Sequence, residues 1–281
     1  MGAVAAPGLQ GALRATEDVD LARCVAAIDP EDREKLQRAL NTVYGEKAKS
    51  ALPAAASGAT ASFPCTAVAG EVSSLIPGLP NFRPDVDNWG KGPHNTCNFT
   101  LPGRLISGSF PGDRKEPGHT QKMKDVLSAG VTTFVNLQET DELGRFTPYI
   151  PTARSLVLDP ASLEFWHCPI PDNSVTADDE LAKGVAKIVD ALKRGRVVYV
   201  HCWGGHGRTG TIICAFLVQA YGLTTEQAQA HFMAGEQTRA ERRGKWPHSS
   251  SQFNQVKALE GKPVLEYRTD GLKPLVDWST K

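Results

Sequence analysis

The feature that most constrains the fold is a short apolar run, a glycine-rich turn and a long apolar run in direct succession over residues 196–222. The first run, 196–200, is short and rich in β-branched residues, which predicts a buried strand. The second run, 211–218, continues to Tyr221 and stops at Gly222, which predicts a helix with a glycine directly after its last residue. The pattern therefore predicts a tight turn between the end of a strand and the N-terminus of a helix.

This turn has the composition of an anion-binding loop. Its backbone N–H groups can point at an anion, and the helix dipole favours negative charge at the same place. Cys202 opens the turn, where the groups that hold an anion also stabilise a thiolate. Arg208 closes the turn, and its planar guanidinium can donate to two phosphate oxygens. The stretch therefore predicts a cysteine nucleophile beneath a phosphate-binding loop.

The stretch 201–210 resembles the Cys-x5-Arg signature of the cysteine-dependent protein tyrosine phosphatase superfamily, in its form His-Cys-x-x-Gly-x-x-Arg-Thr-Gly. The two glycines that follow Trp203 are similar to those of cyclin-dependent-kinase-associated phosphatases and related compact dual-specificity enzymes. The resemblance implies an α/β fold with a central mixed, mostly parallel sheet flanked by helices. The alternative, a buried cysteine before an ordinary glycine-rich turn, is disfavoured by the strand–turn–helix context.

The resemblance also implies roles for individual residues. Cys202 would attack phosphorus and form a phosphocysteine, Thr209 would hydrogen-bond the sulfur, and His201 would order the loop. The residues implied to bind phosphate are those of the loop itself: Trp203, Gly204, Gly205, His206, Gly207 and Arg208. This chemistry requires no metal or other cofactor, and the sequence contains no cluster with metal-ligand spacing.

A general acid is predicted at Asp172. An apolar stretch from residue 163 predicts a strand that runs into a proline-braced loop, and the loop presents this aspartate. The order along the chain and the Pro-Asp pair resemble the general-acid loop of the superfamily. Asp178 and Asp179 are rivals, but they fall in the first turn of a helix predicted over 177–194, with Thr176 as its cap. Acidic residues are expected there because of the helix dipole.

Further elements are predicted before this loop. Residues 104–108 predict a first strand, 120–128 a helix and 131–137 a second strand. Three acidic residues follow that second strand, namely Glu139, Asp141 and Glu142. The resemblance implies that the strand ends near the mouth of the active site. The acids therefore belong either to the site or to a solvated loop.

Two groups of residues after the signature are candidates for contact with substrate or water. A helix is predicted over 224–234, and a second helix begins after Pro247. In many relatives a similar place reads Ser-Pro-x-x-x-x-Gln, which suggests Gln252 or Gln255 for positioning, against an ordinary polar helix face. The cations between these helices form either a basic rim that attracts polyanionic substrates or a solvated loop. They are Arg239, Arg242, Arg243 and Lys245.

The composition disfavours several other classes of protein. The net charge of zero gives no global attraction to nucleic acid or to an anionic membrane, so no nucleic-acid partner is expected. The six cysteines are scattered without a C-x-x-C pair, which disfavours zinc and a disulfide framework. No apolar run approaches membrane-spanning length, and no signal peptide is predicted. A reactive thiolate suits a reducing compartment, so we expect a cytoplasmic or nuclear protein whose oligomeric state stays open.

The chain is predicted to have three parts. Residues 1–97 form an N-terminal extension, with helical spacing from 16 to about 44 and an Ala/Ser-rich linker over 51–62. Residues 98–261 form the catalytic domain, and residues 262–281 form a C-terminal tail. An extended, proline-rich arm over 76–103 is expected to lead into the domain.

The predicted function is hydrolysis of phosphate monoesters, most directly of phosphotyrosine in proteins, with dual specificity open. A phosphoinositide or inositol-phosphate phosphatase is the first alternative. Relatives of that type often carry lysine at the loop positions that Trp203 and His206 hold here, although a cationic His206 would suit an anionic substrate. An inactive phosphate-binding module is the second alternative, against which the intact Cys202, Arg208 and Thr209 argue. The expected partner is a phosphorylated protein or small phosphorylated substrate.

Overall fold

The computed structural model describes residues 76–80, 90–242, 244–262, 264 and 273–275. The predicted helices over 16–44, the predicted linker over 51–62 and Arg243 lie outside the described residues. The described residues all belong to one unit, Cys65–Lys281. No helix in this described part is long and apolar enough to cross a membrane.

The core of the fold is a mixed sheet in which four neighbouring strands run parallel and one antiparallel strand is added at each edge. This confirms the predicted mixed, mostly parallel sheet. In chain order the strands are β1 Cys97–Leu101, β2 Leu105–Gly108, β3 Val131–Asn136, β4 Glu164–His167, β5 Val197–His201 and β6 Lys273–Pro274. Their order across the sheet is β1-β2-β5-β3-β4-β6.

Helices cover both faces of the sheet. They are α1 Gly118–Ser128, α2 Thr140–Leu143, α3 Tyr149–Ser155, α4 Asp178–Lys193, α5 Gly207–Tyr221, α6 Thr225–Gln237 and α7 Ser250–Lys257. Side chains alternate along β5, so that Val198 and Val200 join the hydrophobic cluster of α4 and α5, whereas Tyr199 joins that of α1 and α3. α5 is buried along almost its whole length, which explains why its sequence is apolar on every face.

The structure corrects two details of the predicted elements. The strand predicted as the first is β2, because β1 precedes it inside the stretch 76–103 that was expected to be an extended arm. Prolines at 93 and 102 flank β1 without interrupting it, so the proline content of the region hid a short edge strand. The cap of α4 is Ala177 rather than Thr176, and three acidic residues in its first turn stabilise this end of the helix.

The termini of the predicted domain are still a prediction, but the structure adds two facts about them. β1 begins at Cys97, within the region assigned to the extension. β6 comes from the predicted tail 262–281 and pairs antiparallel with β4. Both edges of the sheet are thus completed by segments outside, or at the limit of, the predicted 98–261 domain.

Three parallel strands end side by side and so bring distant parts of the chain to one edge of the sheet. Asn136, at the end of β3, pairs in register with His201 at the end of β5 and with His167 at the end of β4. The loops that follow these strands contain the Cys-x5-Arg turn, the acidic residues and the Asp172 loop. Ligands of open α/β sheets bind at this carboxyl edge, so the topology favours a site there.

Candidate active site

The cysteine of the glycine-rich turn lies where β5 passes into α5. Its side chain is buried, with 3% of the residue exposed. Cys202 Sγ accepts hydrogen bonds from the Gly205 amide at 3.3 Å and from the Thr209 hydroxyl at 3.2 Å. Gly205 has a φ of 80°, and a side chain there would collide with the backbone of Gly108. The glycine therefore allows the turn to pass close to the sheet and aim an amide at the sulfur.

His201, which precedes the cysteine, is fully buried between two hydrogen bonds. Its Nδ1 lies 3.2 Å from the Cys202 carbonyl oxygen and its Nε2 lies 2.9 Å from the Tyr149 hydroxyl. Because a carbonyl oxygen only accepts, Nδ1 donates and Nε2 accepts. Burial lowers the pKa of His201 to about 3, so the ring is neutral. The geometry suits a residue that fixes the loop backbone, and the sequence offered no signal for Tyr149.

Arg208 is held by a buried carboxylate from another element. Glu142 of α2 contacts both terminal nitrogens of the guanidinium, with Nη2 donating to Oε1 at 2.9 Å. Burial alone would raise the pKa of Glu142, but hydrogen bonds from Arg208 and the Glu139 amide outweigh it and leave that pKa below 4.5. Burial alone would likewise lower the pKa of Arg208, but Glu142 raises it. The sequence leaves open whether Glu139, Asp141 and Glu142 belong to the site or to a solvated loop. Of these three acids, Glu142 is the one that contacts the signature arginine.

One donor of Arg208 is unused within the described part of the chain. Its Nε is buried and has no hydrogen-bond partner among the described residues. Its Nη2 lies 3.2 Å from Asp172 Oδ1 as well as contacting Glu142. A buried guanidinium that lines the cavity and keeps an unsatisfied donor is suited to bind an anion.

Asp172 lies on an exposed loop, with 59% of its side chain accessible. Its amide donates to Glu139 Oε2 at 3.2 Å, and its Oδ2 accepts from Asn173 Nδ2 at 3.0 Å. The two other candidates for the general acid do not line this site. Asp178 accepts a hydrogen bond from Gln255, and Asp179 pairs with Lys183. One cavity contains the predicted acid, the cysteine and the arginine. Its lining is Asp172, Asn173, Cys202, Trp203, Gly204, His206, Gly207, Arg208 and His248.

The side chains of two loop residues whose backbone amides are predicted to bind phosphate have partners in the protein. His206 is buried, and its Nδ1 contacts the carboxylate of Glu236 on α6. The Trp203 ring packs edge-to-face on Phe146 with a centroid distance of 5.0 Å. Both side chains are therefore oriented by neighbouring elements, so any contact of theirs with phosphate would come mainly through the backbone.

The prediction that the cations after α6 form a basic rim is wrong for Arg239. This residue is 3% exposed and lies beneath the loop, where Nη1 donates to the Gly205 carbonyl at 3.0 Å. Its other nitrogens donate to Asn98 Oδ1 and the Ser107 carbonyl, and Glu236 pairs with it at 3.1 Å. Arg242 is exposed and is absent from the described residues that line the cavity. The described part of the charge run therefore divides into a buried support, Arg239, and two surface cations, Arg242 and Lys245.

The two candidate glutamines do not face the cavity either. Gln252 Nε2 donates to the Ser174 carbonyl at 3.2 Å, and Gln255 Nε2 donates to the Thr176 carbonyl at 2.6 Å. Both amides hold the segment after Asp172, because α7 packs against that segment rather than over the cysteine. The residue of this region that lines the cavity is His248, which the sequence analysis did not select. The one feature of the sequence that could have indicated His248 is its position directly after Pro247, where the helix is predicted to begin.

The fold and the site define a cysteine-dependent phosphatase of the protein tyrosine and dual-specificity class. The chain belongs to the PTP-SAK family, described as "Swiss Army Knife protein, DSP-PTPase phosphatase domain", whose model matches residues 94–258, more than half of the chain.

Several relatives share part of this chain. The putative tyrosine phosphatase 067L of Invertebrate iridescent virus 3 is 27% identical over 139 residues, which are 48% of this chain and 50% of the relative. The tyrosine-protein phosphatase cdc-14 of Caenorhabditis elegans is 32% identical over 135 residues, 45% of this chain and 17% of the relative. The chain thus spans half of the first relative and less than a fifth of the second.

Solved structures are similar at lower identity. The crystal structure of Tk-PTP in the active form is 24% identical with a TM-score of 0.46, and covers 59% of this chain and 97% of that chain. Kinase associated phosphatase with its catalytic cysteine changed to serine is 17% identical with a TM-score of 0.45, and covers 54% of this chain and 83% of that chain.

Proposed function

We propose that this protein hydrolyses phosphate monoesters through a phosphocysteine intermediate, with phosphotyrosine in proteins as the favoured substrate. The observation that carries the proposal is the shared cavity of Cys202, Arg208 and Asp172. A nucleophile, a cation for the phosphate oxygens and a proton donor are the three groups that this reaction requires.

In the first step the Cys202 thiolate attacks phosphorus, a sulfur–phosphorus bond forms and the ester oxygen–phosphorus bond breaks. The two hydrogen bonds to Sγ stabilise the thiolate before attack. The unused Nε of Arg208, with the amides at the N-terminus of α5, would bind the phosphate oxygens. Asp172 would give its proton to the leaving oxygen, so that an alcohol or phenol departs.

In the second step water attacks the phosphocysteine and releases inorganic phosphate. Asp172, now a carboxylate, would accept the proton of that water, and the sulfur–phosphorus bond would break to restore the thiolate. The Thr209 hydroxyl, 3.2 Å from Sγ, would donate to the departing sulfur. Asp172 and Cys202 therefore each reverse their role between the two steps, Asp172 from acid to base and Cys202 from nucleophile to leaving group.

The contact of Asp172 with Arg208 suggests how substrate enters. In the structure Asp172 Oδ1 lies 3.2 Å from Arg208 Nη2. A phosphate dianion carries more charge than one carboxylate and would compete for that donor. Once its Oδ1 is released from the arginine, the carboxyl group of Asp172 can give a proton from this oxygen to the leaving oxygen.

The lining of the cavity favours a substrate with one phosphate. Among the described residues that line it, Arg208 is the one permanent cation. His206, the basis of the inositol-phosphate alternative, bonds Glu236, so any positive charge there is balanced inside the protein. The Trp203 ring borders the cavity and offers an apolar surface to a phenyl group. Dual specificity stays within this proposal as hydrolysis of phosphothreonine at the same site.

The test is a substrate panel combined with detection of the intermediate. Phosphotyrosine and phosphothreonine peptides, a phosphoinositide and an inositol phosphate are compared by kcat/KM, and a rapidly quenched reaction is analysed for phosphate bound to protein. We expect the highest kcat/KM for the phosphotyrosine peptide, and bound phosphate that Cys202→Ser abolishes. Turnover by Cys202→Ser would refute the mechanism, and a higher kcat/KM for the phosphoinositide would refute the substrate class.

Asp172→Ala tests the proposed acid separately. We expect it to slow hydrolysis of a phosphotyrosine peptide by about 10²–10⁴-fold, which is the usual contribution of a positioned general acid. An aryl phosphate with a good leaving group needs little protonation and should lose much less. The matched control is Asp179→Asn, which removes an exposed carboxylate outside the cavity. If Asp179→Asn had the larger effect, the acid would be assigned to the wrong residue.

A further inference from the structure

A line of hydrogen bonds connects the segment before α7 to the carboxylate of Asp172. His248 Nδ1 lies 3.1 Å from Asn173 Oδ1, and Asn173 Nδ2 lies 3.0 Å from Asp172 Oδ2. The other carboxylate oxygen, Oδ1, lies 3.2 Å from Arg208 Nη2. An amide oxygen only accepts, so the hydrogen between the ring and Asn173 belongs to His248 Nδ1. Asn173 therefore holds Oδ2, whereas Oδ1, once substrate has displaced it from Arg208, is the oxygen left to carry the proton.

The imidazole at the start of this line is itself held in place. The preceding Trp246 is buried, and its Nε1 donates to the Thr211 hydroxyl of α5 at 3.1 Å. The His248 amide donates to Gln252 Oε1 at 2.9 Å. The ring lies on the backbone of Gly207, where an added Cβ would come 2.6 Å from Nδ1. His248 is therefore attached to the same helix that carries Arg208.

The middle residue has a backbone conformation that most residues avoid. Asn173 has a φ of 55°, in the left-handed region that asparagine tolerates better than other non-glycine residues. This conformation lets its amide reach both the preceding carboxylate and the imidazole. Burial lowers the pKa of His248, which favours the neutral ring with its single hydrogen on Nδ1.

We propose that His248 and Asn173 are positioning residues that fix the rotamer of the Asp172 carboxyl group for proton transfer. The inference rests on the proposed general-acid role of Asp172. The Asp172 side chain is 59% exposed, so packing alone does not select its rotamer, and directed hydrogen bonds have to do so. A misplaced acid transfers its proton less efficiently even when its chemistry is unchanged.

The leaving group of the substrate separates this role from a merely structural one. His248→Ala should lower kcat/KM for a phosphotyrosine peptide by about 10-fold, a fraction of the full contribution of a general acid. For 2,4-dinitrophenyl phosphate, whose leaving group departs without a proton, the same variant should stay within about two-fold of wild type. The melting temperature of each variant is measured first, so that only folded proteins are compared.

Two conservative variants locate the interaction on one ring nitrogen. Asparagine carries an amide near the position of Nδ1, and glutamine carries one near the position of Nε2. We therefore expect His248→Asn to recover most of the activity on the peptide and His248→Gln to behave like His248→Ala. Lys257→Ala is the control on α7, because this lysine is exposed and pairs with Glu226 away from the cavity.

The double variant distinguishes failure of this inference from failure of the proposed function. In an Asp172→Ala background, His248→Ala should cause no further loss, because both act through one carboxyl group. If Asp172→Ala alone shows no dependence on the leaving group, the general-acid proposal fails and this inference fails with it. If Asp172→Ala shows that dependence but His248→Ala affects both substrates equally or neither, the positioning role is refuted and the general acid stands. A rise in KM alone for every substrate would show that His248 contacts substrate instead.

Discussion

The buried pair of Glu142 and Arg208 makes a quantitative prediction about stability. The Arg208 side chain is 2% exposed and that of Glu142 is 8% exposed. Removing one partner of a buried ion pair costs roughly 3–5 kcal/mol, because the other charge stays buried without compensation. Arg208 also lies 3.2 Å from Asp172 Oδ1, so a second carboxylate stays beside it when Glu142 is removed. We therefore take the lower end, about 3 kcal/mol, for Glu142→Ala and about half of that for Glu142→Gln, which keeps an acceptor oxygen.

Thermal unfolding measures this cost directly. In a domain of roughly 150–250 residues each kcal/mol lowers the melting temperature by about 2–4 °C, so Glu142→Ala should melt roughly 6–12 °C below wild type. Asp141→Asn is the matched control, since it removes an exposed carboxylate from the same helix and should change stability by less than about 0.5 kcal/mol. Inorganic phosphate should restore more stability to Glu142→Gln than to wild type, because it supplies the missing negative charge.

The contribution of Glu142 to the free energy of unfolding should depend on pH, with a sign set by the direction of its pKa shift. The pKa of Glu142 in the folded protein lies below its ordinary value of 4.5. A carboxyl group of this kind contributes stability that is present above its unfolded pKa and is lost as the pH falls through its folded pKa. The difference in unfolding free energy between wild type and Glu142→Gln should be constant from pH 7 to about 5.5 and shrink below about pH 4.5. Equal melting temperatures of wild type and Glu142→Ala at pH 7 would refute the reasoning.

Three further predictions follow from the site. Arg208→Lys should lower kcat/KM for a phosphotyrosine peptide by at least about 10²-fold, because an ammonium group cannot donate in parallel to two phosphate oxygens; steady-state kinetics on a variant of unchanged melting temperature tests this. Arg242→Gln should leave KM for p-nitrophenyl phosphate within about two-fold, as expected for an exposed charge beyond the cavity; a salt-dependent rise for this substrate would contradict it. Glu236→Gln should lower the free energy of unfolding, measured by urea titration, by about 2 kcal/mol, which is half the cost of removing one partner of a buried ion pair because glutamine keeps an acceptor oxygen for Arg239; a change below about 0.5 kcal/mol would show that the pair contributes little.

The Cys-x5-Arg turn could be predicted because its signals are local in the sequence. The β-branched run, the glycines and the apolar helix determine a strand, a turn and a helix from neighbouring residues alone, and Cys202 and Arg208 lie within that unit. The carboxylate opposite Arg208 could not be predicted in the same way. Glu142 is 66 residues away along the chain, and the contact exists because β3 and β5 end side by side. Nothing in the sequence distinguishes it from its exposed neighbour Asp141.

Segments whose sequence favours no single structure were harder to predict, because contacts with distant parts of the chain decide their structure. β1 lies in a proline-rich stretch, and its assignment as a strand depends on pairing with β2 rather than on its own composition. The positions of Gln252 and Gln255 on α7 are equally typical of an ordinary polar helix face. Only the packing of α7 against the segment after Asp172 determines that their amides bond carbonyl oxygens there. Tertiary contact, and not local propensity, decided each of these cases.

The burial of Arg239 fits the geometry that the proposed phosphate-binding loop requires. A loop whose N–H groups converge on an anion must turn its carbonyl oxygens toward the protein, and each buried carbonyl without a donor costs about 1–3 kcal/mol. The structure supplies these donors from separate elements. The Gly205 carbonyl accepts from Arg239 Nη1 at 3.0 Å, the Cys202 carbonyl accepts from His201 Nδ1 at 3.2 Å, and the Trp203 carbonyl accepts from the Phe110 amide at 3.1 Å.

Arg239, two residues after the end of α6, thus donates a hydrogen bond to the face of the loop that is turned away from the cavity. Its charge is balanced by Glu236, which also contacts His206 of the same loop. One carboxylate on α6 thereby fixes two supports of the loop at once. This arrangement explains why a charge run in the sequence does not form a rim around the cavity. The residue nearest the helix is required beneath the loop, whereas Arg242, three residues further along, is left to solvent.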